Sequence, residues 1–164
     1  MRIRRGCVVA ALGIGLLGCG VQPTGVVDAG EPASGLTSGA RLYFASNSGL
    51  RGVSLIDKEI KDLASVIKLL ALGPSPTEQR DGLTSVFEIG GYTVTGEGTR
   101  VTLHLAGPYG QSGRDQGTGQ LVCTLARAQS VLEPEVMFDD VEVTLRPEEG
   151  AKLGPFRCAE FLNG

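Results

Sequence analysis

The chain contains no tryptophan, only five phenylalanines and three tyrosines, and a single histidine, His104. So few aromatics leave little with which to wall a small-molecule pocket, because such pockets are lined mainly by apolar and aromatic side chains. One histidine, with no second beside it and no pair of free cysteines, builds neither a zinc site nor a Ser-His-Asp triad. No C-x-x-C is present, which argues against a redox pair. Neither S-D-N nor K-T-G accompanies Ser65-Val66-Ile67-Lys68, so that S-x-x-K match stands without the rest of its catalytic set. No segment repeats at a fixed period. The longest apolar run, Cys7 to Gly18, is about a dozen residues and too short to span a bilayer.

That run has signal-peptide length and follows Arg2, Arg4 and Arg5, and it ends in Leu16-Leu17-Gly18-Cys19. These four residues resemble a lipobox, where a bacterial signal peptide is cut and the new N-terminal cysteine receives a diacylglyceryl group. Residues 1–18 are then expected to be removed, with Cys19 the first residue of the working protein. Two acyl chains hold a protein stably to a membrane where one does not. The expected location is therefore the extracytoplasmic side of the cell membrane, on a lipid anchor.

Removing eighteen of the 164 residues leaves 146, enough for one domain with a core of its own. It also takes three of the fifteen basic residues and none of the eighteen acidic ones, leaving twelve against eighteen, a balance of −6. A domain so acidic is a poor partner for nucleic acid, which is bound through clustered Lys and Arg. Residues 19–40 are rich in Gly, Pro, Ala, Ser and Thr, a composition that buries too little to order itself and reads as a lipidated flexible tether.

Of the cysteines, Cys7 leaves with the leader and Cys19 carries lipid, so Cys123 and Cys158 remain to form one disulfide in an oxidising compartment. Closing a loop of about 36 residues stabilises a fold by roughly 4 kcal/mol in the chain-entropy picture. Within residues 41–164, Arg41–Ala45 and Leu50–Ile56 around Asn47-Ser48-Gly49 predict a hairpin. Leu63, Val66, Ile67 and Leu70 fall on one helical face, which Gly73-Pro74 ends. Ser75-Pro76-Thr77-Glu78 is a capping box that opens a second, short helix. Strands are expected over Leu83–Ile89, Tyr92–Thr95, Val101–Leu105, Val136–Phe138 and Val141–Leu145. A Gly-rich loop is expected from Gly107 to Gly119 and a helix over Gln120–Ser130. The class expected is α+β, a two-layer domain with a mixed or antiparallel sheet and two main helices on one face.

Leu42-Tyr43-Phe44, then Leu69-Leu70-Ala71-Leu72-Gly73-Pro74 with Glu78 and Gly82-Leu83-Thr84, and later Gln120-Leu121-Val122-Cys123-Thr124-Leu125, occur in an order that resembles the GerMN domain. This is a sporulation and germination module of extracytoplasmic proteins in Gram-positive bacteria, and small lipoproteins carry it as a single copy. The likeness spans roughly residues 41–145. It implies a fold similar to ring-building modules, and assembly with another envelope protein or with itself. The family has no established catalytic residues, so it implies none here.

Other motifs have simpler readings. Gly13-Ile14-Gly15-Leu16-Leu17-Gly18 matches a dinucleotide fingerprint but lies inside the leader and follows no strand. Asp139-Asp140 with Glu142 lacks EF-hand spacing. Tyr109 and Arg114, set among glycines, are the residues in this region best suited to a contact surface, since both types are enriched at binding hot spots. No cofactor and no metal are implied. The leading expectation is a non-enzymatic, lipid-anchored interaction or scaffold module. The alternative is a lipoprotein binding a small ligand or a cell-wall fragment.

Overall fold

The computed structural model describes residues 39–56 and 58–162. The lipobox residues, Cys19 and the tether up to residue 38 lie outside them. The first elements are β1 (Arg41–Ser46) and β2 (Gly49–Ser54), an antiparallel hairpin turning at Asn47-Ser48 as predicted. Helix α1 (Leu63–Ala71) buries Leu63, Val66, Ile67 and Leu70, the four residues its period assigns to one face. It begins at Asp62, whose Oδ1 accepts the Ser65 N–H at 2.6 Å, and it stops before Gly73-Pro74. Helix α2 (Pro76–Arg80) starts from the reciprocal Ser75–Glu78 cap.

The main sheet is a separate structure of four strands in the order β3-β4-β5-β6: Tyr92–Glu97, Arg100–Pro108, Glu142–Glu149 and Leu153–Phe156. β3 and β4 are antiparallel, β4 and β5 parallel, and β5 and β6 antiparallel, so the sheet is mixed. The parallel pair requires a crossover connection, and helix α3 (Gln116–Leu132) supplies it. Val101, Leu103 and Leu105 of β4 and Val143 and Leu145 of β5 all face inward and are buried. Burial of each such side chain contributes about 1.5–3 kcal/mol. The α+β class is thus the class observed, with the hairpin standing apart from the main sheet.

α3 is the centre of the fold. Every residue from Gly117 to Ala126 is buried, and it packs on β1, on α1 and on the inner face of the sheet. Three expectations need correction here. The stretch Gly107–Gly119 is not one loop. β4 runs on to Pro108, and Asp115 caps a helix from Gln116 by accepting the Thr118 N–H at 2.8 Å. Gly119 is needed in that first turn: a Cβ there would sit 2.8 Å from Leu50 Cδ1 and from Phe161 Cδ1. Close packing against the hairpin thus outweighs the low helix propensity that made the segment look like a loop.

Second, Leu83–Ile89 forms no strand, only a bridge between Thr84 and Ala45. Its Val86 N–H donates to Gln120 Oε1 at 2.7 Å, and its Val86 carbonyl accepts from Gln111 Nε2 at 3.0 Å. Side chains satisfy the backbone groups a ladder would have used. Third, Val136–Phe138 is not a strand; Phe138–Asp140 is one 3-10 turn. At the C-terminal end, β6 and helix α4 (Ala159–Leu162) were not anticipated. The expected Cys123–Cys158 disulfide is present, with Cα atoms 4.6 Å apart, and fastens this end to α3.

Candidate functional site

Two surface features stand out. The first is a groove of about 590 Å³ between the hairpin and the end of α1. Its walls include Leu42 and Phe44 of β1, Val53 of β2, Leu69 of α1, and Pro74 and Pro76 of the turn into α2. The Gly73-Pro74 stop creates it, because the chain must turn out of α1 and leaves the helix end beside β2. Ile56 and Leu72, 77% and 78% exposed, also line it. Two of the large exposed aliphatic side chains among the described residues are thus on this groove. Leu55, another wall residue, donates its N–H to the Ala40 carbonyl at 2.9 Å, so the first described residues, Gly39 and Ala40, lie next to this groove.

The second feature is the outer face of the four-stranded sheet. Residues alternate across a strand, so those between the buried positions of β4 and β5 point outward. The register sorts them into rows. Glu97, Arg100 and Glu142 share one row, Thr95, Thr102 and Thr144 the next, and Thr93, His104 and Arg146 the third. A cleft of about 570 Å³ lies over the third row, lined also by Tyr92, Ala106 and Glu148.

The loop expected to offer a contact surface is reduced to residues 109–115. The Tyr109 hydroxyl donates to Gln111 Oε1 at 3.3 Å and shares a 3.0 Å hydrogen bond with Thr118 Oγ1. Burial pushes its phenol up to about 12, with the Asp115 charge adding to the rise and the Thr118 hydrogen bond opposing it. Partial burial works against the Asp115 charge, but hydrogen bonds from Thr118 and Ser112 prevail and hold its carboxyl below the usual range. The Arg114 side chain is 74% exposed; it pairs with Glu160 Oε2 at 3.4 Å and lies over the Phe156 ring. Tyr109 and Arg114 therefore brace the loop against α3 and the C-terminal segment.

The other singled-out residues are dispersed. The Ser65 hydroxyl donates to the Asp62 carbonyl at 2.6 Å as part of the α1 cap, and Lys68 is exposed. Asp139 and Asp140 sit in the 3-10 turn, while Glu142 on β5 accepts from Arg157 at 2.9 Å. Among the described residues, no group of three or more His, Cys, Asp or Glu is arranged to hold a metal ion. Nor is any described helix long and apolar enough to cross a membrane.

Sequence reading missed the groove. Ile56 is the last residue of the predicted hairpin, one past half-buried Leu55, and Leu72 falls outside the α1 stripe. That both are apolar off the period was the available signal. The His104–Arg146 pairing had none, since it depends on a register between strands separated by a helix. No protein-family model matches the chain, and comparisons with curated proteins and with solved structures find no match either.

Proposed function

We propose that this protein is a lipid-anchored, non-enzymatic interaction module of the bacterial cell envelope, of GerMN type. The groove between the hairpin and α1 would be its docking face for another envelope protein. The observation that carries the reading is the placement of Ile56 and Leu72 on that groove, beside the point where the chain from Cys19 enters the fold. A domain held at the membrane through Cys19 meets its partners at high local concentration. A groove with modest apolar area then suffices to bind them. The acidic balance of the chain supports a protein partner over nucleic acid.

Two measurements test the reading separately. Mass spectrometry of the purified N-terminus is expected to find Cys19 first and carrying lipid; an unmodified Met1 would refute the anchor. Photo-crosslinkers placed at Ile56 and Leu72 in intact membranes are expected to capture one and the same protein. A crosslinker at Thr95, on the sheet's outer face, should not capture it. Equal labelling from all three positions would refute the docking face.

A further inference from the structure

We propose that the outer edge of β2 pairs with the same edge of a second copy of this chain, joining two hairpins into one continuous antiparallel sheet. This contact uses the edge of the strand, whereas the groove proposed for docking uses a face of the hairpin.

The register shows which backbone groups are available. Leu55 donates its N–H to the Ala40 carbonyl at 2.9 Å, so Leu42–Val53, Phe44–Arg51 and Ser46–Gly49 are the pairs that exchange hydrogen bonds within the hairpin. The residues between them turn their N–H and carbonyl groups outward. On β1 these are Tyr43 and Ala45, whose groups bond to Thr124, Gln120 and the Thr84 backbone. On β2 they are Leu50, Gly52 and Ser54, and no described residue bonds to theirs. The hairpin is closed along one edge and open along the other.

Strand edges are normally guarded by proline, lysine, a bulge, a covering element or very short length. The edges of the main sheet follow that rule. β6 has four residues and carries Pro155. At β3, the Tyr92 hydroxyl donates to the Ala64 carbonyl of α1 at 3.2 Å, and Gly96 packs against Leu63 and Gln129. β2 instead has six residues in an unbroken register, with no proline and no lysine, and Arg51 is its only charge. Leu50 turns its side chain down to Gly119 beside Phe161, and Gly52 has none, so neither lies across the edge.

The strand is also its own complement. Two antiparallel registers keep most of β2 paired through its outward residues, one centred on Arg51 and one on Gly52. The first sets two guanidinium groups opposite each other, which is unfavourable. The second sets Leu50 opposite Ser54 of the partner subunit, Arg51 opposite Val53 of the partner subunit, and the two Gly52 residues face to face on the two-fold axis. The ends match in charge as well. The Gly49 end lies beside Asp115, Glu160 and Arg114, a net negative group, and the Ser54 end beside Arg41 and Lys58. Antiparallel pairing brings the negative end of each copy next to the positive end of the other. So short an edge gives less contact than a standard interface, and the dimer is correspondingly weak in dilute solution.

Sedimentation velocity of the full chain in non-ionic detergent, with micelles in excess over protein, is expected to show a dimer. Its share should grow with protein concentration and shrink at high salt. Ser54→Pro removes an outward N–H that the hairpin does not use and puts a ring on the edge. It should abolish the dimer and leave the circular dichroism spectrum unchanged, while Ser54→Ala keeps the dimer. Cysteines read the register separately. Opposed Arg51 and Val53 positions form a non-hydrogen-bonded pair with Cα atoms about 4.5 Å apart, within disulfide reach. Two Arg51 positions, or two Val53 positions, stand diagonally about 7–8 Å apart and out of that reach. Mild oxidation of an equal mixture of Arg51→Cys and Val53→Cys chains should therefore link dimers at least about tenfold faster than either variant alone or the unsubstituted chain. A chain that stays monomeric at every concentration overturns the proposal. So does a Ser54→Pro dimer as strong as the original, or a mixture that links no faster than its components.

Discussion

Replacing Gln120 by leucine tests how the hairpin is held. The Gln120 side chain is fully buried; its Nε2 donates to the Tyr43 carbonyl at 3.1 Å and its Oε1 accepts the Val86 N–H at 2.7 Å. It thereby stands in for a neighbouring strand on the outer edge of β1. Thr124, one turn on, accepts the Tyr43 N–H at 3.0 Å. Leucine has nearly the same volume, so little cavity forms. Both backbone partners lose their bond. The Tyr43 carbonyl is buried, and an orphaned buried group costs about 1–3 kcal/mol. Val86 is 45% exposed, so its N–H can turn to water and adds only about 0.5–1 kcal/mol. The expected loss is therefore roughly 1.5–4 kcal/mol, or a fall in Tm on the order of 10 °C for a domain of this size. Urea unfolding with an unchanged slope should report it, and hydrogen exchange should show Val86 losing protection while Leu103 keeps its own. A loss below about 0.5 kcal/mol, or exchange that rises everywhere alike, would refute the view that this one amide substitutes for a strand.

Two further outcomes follow from the packing. A Cβ at Gly96 would come within 2.9 Å of both Leu63 Cδ1 and Gln129 Cδ, so Gly96→Ala should destabilise by about 1–3 kcal/mol. Gly110→Ala, where a Cβ would meet nothing within 4 Å, should be near neutral in the same melt. In alkali, the phenol of Tyr109, raised to about 12 by burial, sets the sign. A raised folded pKa gives stability that is complete below the unfolded value of about 10 and is lost as pH rises through about 12. Unfolding midpoints should drop across that window, and Tyr109→Phe should flatten the drop; a midpoint insensitive to pH there would contradict it.

What was legible in the chain was local. The Leu63–Leu70 stripe, the Ser75–Glu78 cap and the Asn47-Ser48 turn each depend on residues within a few positions of one another, and each formed as the spacing requires. The failures share a different cause. Leu83–Ile89 has strand composition, yet the partners of Val86 come from Gln111 and Gln120, far along the chain. The first turn of α3 carries two glycines because Leu50 and Phe161 crowd it, and neither neighbour is visible from the local sequence. The Cys123–Cys158 pairing was accessible by elimination once the leader was set aside. For the surface, the alternation in Val101–Leu105 placed His104 outward, but only the parallel register with β5 shows that Arg146 stands beside it.

The manner in which β1 is held also has a mechanical meaning. Residues 1–38 join the fold at Gly39 and Ala40, so any pull delivered from that side enters through β1. The strand is gripped along both edges, by β2 on one and by Gln120, Thr124 and Thr84 on the other. A tug along its axis must shear these bonds together instead of unzipping them one by one. The Cys123–Cys158 bond lies outside this line of force and leaves it unreinforced. Resistance to such a pull therefore rests on the β2 ladder along one edge and, along the other, on the Thr84 backbone and two uncharged side chains of a helix.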